Sequence, residues 1–292
     1  MGKSANIFHF KKFDIINERS AMKVNTDGVL LGAAMTITPE DRHLLDIGTG
    51  TGTIALMAAQ RLADMLSCND CNENIACVTE RSIKLHLRGM DYARNSSEGG
   101  VVIDAIDIDD PSASEAAQNF RNSPWADMLY AHNMSLDEFA SNNRNCHQQV
   151  SQTDILHGSE SYDLIFSNPP YFEDSLIAPD ERKSTARHTS EGLSYRDIFD
   201  FAKERLTKKG RVALVLPSDQ EAAVCRYARM SGLHLSRILR VRTVPRKSPT
   251  RMVVEFSRDR IEIPEDTILT IQNEGQYTEE YLSLTRDFYL FA

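Results

Sequence analysis

Little in this chain marks an exported or membrane-bound protein. Its cysteines, Cys68, Cys71, Cys77, Cys146 and Cys225, number five. An odd count without a secretory signal reads as reduced thiols rather than a disulfide framework. No apolar run approaches the roughly 20 residues of a membrane span. The basic, aromatic start from Met1 to Phe13 has no apolar signal core. Both absences predict a cytoplasmic protein with no membrane partner. Positive charge is also short: 33 Lys and Arg stand against 42 Asp and Glu, a net charge of -9. That argues against a general polyanion binder, although a local basic patch can act within an acidic chain. Cys68, Cys71 and Cys77 with His86 match no standard zinc spacing, so no metal is expected.

What the chain does have is an ordinary core. Its 292 residues are 41% hydrophobic, which fits one α/β domain spanning residues 1–292. Phe8, Phe10, Phe13 and Ile15 alternate as in a strand. Thr26 or Asp27 is expected to cap a helix running through Leu30 to Met35. Leu44 to Ile47 reads as a buried strand, Gly48-Thr49-Gly50-Thr51-Gly52 as a turn, and Thr53 to Leu62 as a helix. Glycines let a backbone approach a ligand closely, and a helix N-terminus offers free N–H groups. The spacing Asp-x-Gly-x-Gly-x-Gly is not the dinucleotide fingerprint. Asp46 suits a cationic or zwitterionic ligand better than a pyrophosphate, which points to S-adenosyl-L-methionine. A plain strand–helix turn is the bland alternative, but three alternating glycines weaken a strand end without a reason.

Residues 63–100 break the βα pattern and read as an insertion, as do the Asn-, Gln-, Ser- and His-rich residues 141–160. Between them, Val101 to Ile108 is an apolar strand. Asp107 at its end is placed to accept both ribose hydroxyls of a nucleoside. Asp109 or Asp110 can cap the following helix, Pro111 to Asn122. Asn133, beyond a short strand at Met128 to Ala131, is read as a contact to the cofactor adenine.

The strand Tyr162 to Ser167 runs into Asn168-Pro169-Pro170-Tyr171. The Asn168 amide oxygen and a neighbouring main-chain carbonyl can accept both hydrogens of one NH2 group. The prolines hold those acceptors rigid and add no donor, and Tyr171 offers a face for a planar ring. Glu173 to Gly192, with Arg182, Lys183, Arg187 and His188, is a substrate loop or a solvated surface. Further on come a helix at Tyr195 to Leu206, a strand at Arg211 to Pro217 and a helix at Asp219 to Ser231. Leu233 to Val244 and Arg251 to Phe256 then form a hairpin. Arg237, Arg240, Arg242, Arg246, Lys247 and Arg251 lie along it with no acid between them, a patch suited to phosphates or one charged face of an edge hairpin.

Strands alternating with helices give a Rossmann-like, doubly wound α/β sheet. The blocks Ala21-Met22-Lys23-Val24-x-Thr26-Asp27-Gly28, Leu45-Asp46-Ile47-Gly48-Thr49-Gly50-Thr51-Gly52, Ser123-Pro124-Trp125 and Asn168-Pro169-Pro170-Tyr171-Phe172 go further. With Ala186-Arg187-His188 and Tyr277-Thr278-Glu279-Glu280-Tyr281, they resemble the bacterial tRNA1(Val) adenine-37 N6-methyltransferase family. The resemblance implies a class I methyltransferase with a mostly parallel sheet of seven strands, an antiparallel C-terminal hairpin and helices on both faces. It implies that residues 1–43 cover the cofactor, with Lys23, Thr26, Asp27, Asp46, Gly48, Gly50, Gly52, Asp107, Asn133 and Asn168 binding S-adenosyl-L-methionine. Asn168, Pro169 and Tyr171 would be catalytic. Tyr171, Phe172, Arg187, His188, Arg242, Arg246 and Lys247 would meet tRNA. A monomer is expected. The same pocket would also suit another planar amine, such as an rRNA or DNA adenine or a protein glutamine, and a non-catalytic cofactor- or RNA-binding module is the alternative from another class.

Overall fold

A computed structural model describes residues 6–73, 100–145, 161–170 and 193–292 of the chain. Its centre is a sheet of eight strands. In chain order these are β3 (His43–Ile47), β4 (Val102–Asp107), β5 (Leu129–Asn133), β6 (Tyr162–Ser167), β7 (Leu206–Pro217), β8 (His234–Arg242), β9 (Arg251–Ser257) and β10 (Glu265–Thr270). Their order across the sheet is β10-β8-β9-β7-β6-β3-β4-β5. Strands β3 to β7 pair in parallel, whereas β9 is antiparallel to both β7 and β8. The expected seven strands become eight because β10 adds in parallel to β8. The hairpin therefore does not end the sheet.

Residues on opposite faces of each strand alternate between two cores, as the period of two requires. Leu44, Ile103, Leu164, Ala213 and Val253 face one core. Leu45, Ile106, Ile165, Val212 and Val254 face the other. Helices α1 (Thr26–Ala34), α2 (Thr53–Glu73) and α3 (Asp110–Asn122) cover the first face. Helices α4 (Leu136–Asn145), α5 (Tyr195–Arg205) and α6 (Glu221–Met230) cover the second. This double cover is why the central strands read as near-continuous apolar runs. A last helix, α7 (Glu279–Thr285), buries Tyr281 in the first core. The N-terminal hairpin of β1 (Ile7–His9) and β2 (Asp14–Ile16) packs there too, with Phe10 stacked 6.0 Å from Tyr289.

Three local readings shift. The cap of α1 is Asn25, whose side chain accepts from the Gly28 N–H at 2.8 Å, rather than Thr26 or Asp27. Helix α2 runs on to Glu73, so the start of the stretch read as an insertion is helix. Likewise α4 carries residues 141–145, the start of the second. Asp109 does cap α3, accepting from Ser112 N–H. No helix among the described residues is long and apolar enough to cross a membrane.

Because β3 to β7 run parallel, the ends Ile47, Asp107, Asn133, Ser167 and Pro217 share one edge. The chain enters the sheet at β3, builds outwards through β4 and β5, and returns on the other side at β6. The crevice at such a switch point, outside the carboxyl ends of the strands, is where open α/β sheets bind ligands. The turn after β3 and the residues after β6 flank it.

Candidate active site

The turn after β3 is held open by backbone geometry. Gly48, Gly50 and Gly52 have φ of 72°, 58° and 81°, a region that side-chain-bearing residues avoid. Gly48 and Thr49 both donate their N–H to the Ile106 carbonyl, at 2.9 and 3.0 Å, which ties the turn to the end of β4.

Two carboxylates border this turn. Asp46 is fully buried. Its Oδ2 accepts from Thr49 Oγ1 at 2.7 Å, and its Oδ1 has no hydrogen-bond partner among the described residues. Burial pushes its pKa up to about 7; Thr49 opposes this, Asp107 adds to it, and the Ala55 amide opposes it. Asp107 accepts from Gly50 N–H at 2.8 Å and Asp109 N–H at 2.9 Å. Burial raises its pKa as well, against those two amides. A buried carboxylate oxygen without a donor is costly, and Asp46 Oδ1 is such an atom, one that a cation or a hydroxyl donor would satisfy. S-adenosyl-L-methionine, with its ammonium group, sulfonium and ribose hydroxyls, fits that donor demand and the glycine cradle.

The Asp46 shift has a stability consequence. A carboxyl with a higher pKa folded than unfolded costs stability wherever it is ionised. That cost is absent below the unfolded value of 3.8, grows up to about 7, and is complete above it. Asp46→Asn removes it. In thermal melts of the ligand-free protein, the stability of the variant relative to wild type should climb from pH 4 to pH 7 and then level off. A difference that does not change with pH would rule out the raised pKa.

On the other flank, Ser167 Oγ donates to the Ile47 carbonyl at 2.6 Å, joining the ends of β6 and β3. Asn168 follows, only 7% exposed. Its Nδ2 lies 3.6 Å from Met22 Sδ, which lets the sulfur accept from it. Pro169 and Pro170 follow Asn168, beyond the end of the strand. Tyr171, Phe172, Arg187 and His188 lie outside the described residues. Lys23 donates to the Asn17 and Glu18 carbonyls at 2.9 and 2.6 Å. Thr26 is exposed at the start of α1, and Asp27 pairs with Arg251 at 2.9 Å. Asn133 is exposed and donates to the Asp107 and Ile108 carbonyls.

Curated relatives match this architecture from end to end. A tRNA1(Val) (adenine(37)-N6)-methyltransferase from Parabacteroides distasonis is 34% identical over 284 residues, 97% of each chain. One of the same description from Mannheimia succiniciproducens is 33% identical, over 99% of this chain and 96% of its own. This chain belongs to the tRNA1(Val) (adenine(37)-N6)-methyltransferase family. A solved structure described as a predicted O-methyltransferase, Atu636 of Agrobacterium tumefaciens, shares the fold with a TM-score of 0.55 at 15% identity, covering 90% of this chain and 96% of its own. No protein-family model matches.

In this member of the methyltransferase family, half of the basic run, Arg237, Arg240 and Arg251, is ion-paired. Arg237 pairs with Glu255 at 2.8 Å and with Glu265 at 3.3 Å. Arg240 pairs with Glu221 at 2.6 Å and Asp266 at 2.9 Å. The shorter contacts come from Glu255 on β9 and Glu221 on α6, and β10 adds Glu265 and Asp266 beside β8. Arg242 donates to Thr270 Oγ1 and the Pro245 carbonyl, bracing the loop between β8 and β9. Arg246 and Lys247 at its tip are exposed and have no ion pair among the described residues. Since β9 is antiparallel to β7 with Pro217 opposite Arg251, this loop sits on the same sheet edge as Asn168.

Sequence reasoning passed over several residues of the site. Ile108 is 76% exposed directly after Asp107, an apolar ledge beside the expected ribose position. Met22 meets Asn168. Glu115 and Asn119 are wholly buried on α3. The signal for the last two was available: they are polar residues four apart on a helix whose buried positions are otherwise Ser112, Ala113, Ala116 and Phe120.

Proposed function

We propose that this chain transfers the methyl group of S-adenosyl-L-methionine to the N6 amine of adenine 37 in tRNA1(Val). The observation that carries the proposal is the placement of Asn168 directly after β6, across the switch point from the glycine turn and the unpartnered Oδ1 of Asp46. Asp46 suits the amino-acid end of the cofactor, and the turn at Gly48, Gly50 and Gly52 lets the backbone approach it closely. Asp107 keeps lone pairs for the ribose, while Ile108 and Asn133 suit the adenine. Lys23, Thr26 and Asp27 belong to the segment, residues 1–43, that covers them. The bound cofactor supplies a methyl group made electrophilic by its sulfonium.

An aromatic amine is a weak nucleophile because its lone pair is delocalised into the ring. Asn168 Oδ1 and the Pro169 carbonyl accept its two hydrogens, which favours a pyramidal nitrogen and aims the lone pair. This is orientation and electrostatic assistance, not proton abstraction before attack. Tyr171 and Phe172 would stack on the base once it is flipped out. Arg187, His188, Arg242, Arg246 and Lys247 would contact the RNA. We read residues 1–292 as one unit that acts as a cytoplasmic monomer without a metal.

The deciding experiment incubates the protein and labelled cofactor with total tRNA from a strain lacking the gene, followed by nuclease digestion and nucleoside mass analysis. N6-methyladenosine in the anticodon-loop fragment of tRNA1(Val) is expected. No label in tRNA, with label appearing instead when rRNA or a glutamine-bearing protein is offered in parallel reactions, would overturn the assignment. The loop between β8 and β9 gives a second check. Arg246→Ala with Lys247→Ala should raise KM for tRNA roughly tenfold and reduce the salt slope of binding by about 2. Cofactor affinity should stay unchanged in titration calorimetry.

A further inference from the structure

We propose that Glu115 and Asn119 are positioning residues for cofactor binding, clamping main-chain residues 16–20 to helix α3 so that residues 20–23 lie in register over the glycine turn. The inference rests on the reading of that turn as the S-adenosyl-L-methionine site.

Glu115 is 0% exposed, and no arginine, lysine or histidine pairs with it among the described residues. Its carboxylate instead accepts three successive main-chain N–H groups. Oε1 takes those of Glu18 and Arg19 at 2.8 and 2.9 Å, and Oε2 takes that of Ser20 at 2.8 Å. Charge-assisted bonds of this kind are the strong ones, and they hold the strip with its amides turned inward. Helix α3 does not itself need this acid, since Ala113, Ala116 and Phe120 already bury its face.

Asn119 extends the clamp to the cofactor turn. Its Oδ1 accepts from Ile16 N–H at 2.8 Å, and its Nδ2 donates to the Ile16 carbonyl at 3.0 Å and the Thr51 carbonyl at 2.9 Å. Thr51 lies between Gly50 and Gly52. One side chain thus ties strip and turn to the same helix. Ser20 Oγ adds a bond to Ser112 Oγ at 3.0 Å and another to the Met22 carbonyl at 3.0 Å.

The consequence lies over Gly50. A Cβ placed there would be 3.6 Å from Ser20 Oγ and 3.7 Å from the Met22 carbonyl. The strip therefore forms a wall of the space that the turn opens. The same strip carries Met22 to the Asn168 amide. Slackening the clamp should cost cofactor affinity first, while the chemistry of a bound cofactor survives.

Glu115→Gln keeps the side chain's shape but turns one acceptor into an NH2 facing an N–H. Calorimetry with S-adenosyl-L-methionine and initial-rate kinetics with tRNA should show Kd and KM for the cofactor raised about tenfold or more, the loss expected for broken charge-assisted bonds. At saturating cofactor, kcat should stay within about threefold of wild type. Hydrogen exchange at residues 18–20 should be slow in wild type and fast in the variant, with β3 and β4 protected in both. Unchanged cofactor affinity, or a fall in kcat and melting temperature with KM intact, would overturn the clamp. Free-peptide exchange at residues 18–20 in wild type would do so even if the variant fails to fold. A wild-type protein that does not bind the cofactor would instead overturn the cofactor reading itself.

Discussion

Asn168→Ala should lower single-turnover methylation of tRNA by at least about a thousandfold, with cofactor affinity kept within about fivefold. The wild-type side chain is held directly after β6, its Nδ2 directed to Met22 Sδ, and on the proposed reading its Oδ1 is the group that accepts from the substrate amine. Alanine removes that acceptor and leaves only the Pro169 carbonyl, so the amine regains its planar, delocalised geometry. The residues proposed to hold the cofactor, Asp46, Asp107 and the glycine turn, are bonded to one another rather than to Asn168, so they should survive. Asn168→Asp retains acceptor oxygens but puts a charge on a side chain only 7% exposed, so it should rescue little. A variant with near-wild-type turnover at saturating cofactor would remove Asn168 from the chemistry.

Gly52→Ala should be the most damaging single change in the cofactor turn. Position 52 has φ of 81°, and an added Cβ would lie 2.5 Å from Phe120 Cε1 and 3.3 Å from Ala116 Cβ. Phe120 is a rigid ring at 2% exposure, packed in the first core, so it has little room to yield. Strain and overpacking together should cost on the order of 2–4 kcal/mol, a fall of roughly 5–10 °C in melting temperature. Cofactor binding should be lost with it, because the turn must shift to relieve the contact. Gly48→Ala offers the contrast. Its φ of 72° is also unfavourable, but its nearest neighbour is the far end of Leu193 at 3.3 Å. Its melting temperature should fall by less. Equal melting points for wild type and Gly52→Ala would contradict the packing argument.

Much of this protein was legible along the chain because the features are local. The apolar runs at Leu44–Ile47 and Tyr162–Ser167 predict buried strands, and both are strands of the parallel core. The alternating glycines predict a turn that needs positive φ, and all three have it. Asp107 stands at a strand end as read, and Asn133, read as just beyond its strand, is that strand's last residue. Boundaries were weaker, because Asn25 competes with Thr26 and Asp27 for one cap, and nothing in residues 63–73 signals that α2 continues.

By itself, then, the sequence determined the order of strands and helices, the glycine turn and the rigid Asn-Pro-Pro end of β6, since each depends on residues a few positions apart. Tertiary structure alone decided which charges remain available and what holds the site closed. Arg237 and Arg240 look like a phosphate grip until β9 and α6 supply Glu255 and Glu221, and β10 adds Glu265 and Asp266. Glu115 looks like a solvated helix acid until the strip 95 residues upstream folds onto it. A side chain's partner across such a separation is set by sheet order and packing, and no local period in the chain records it.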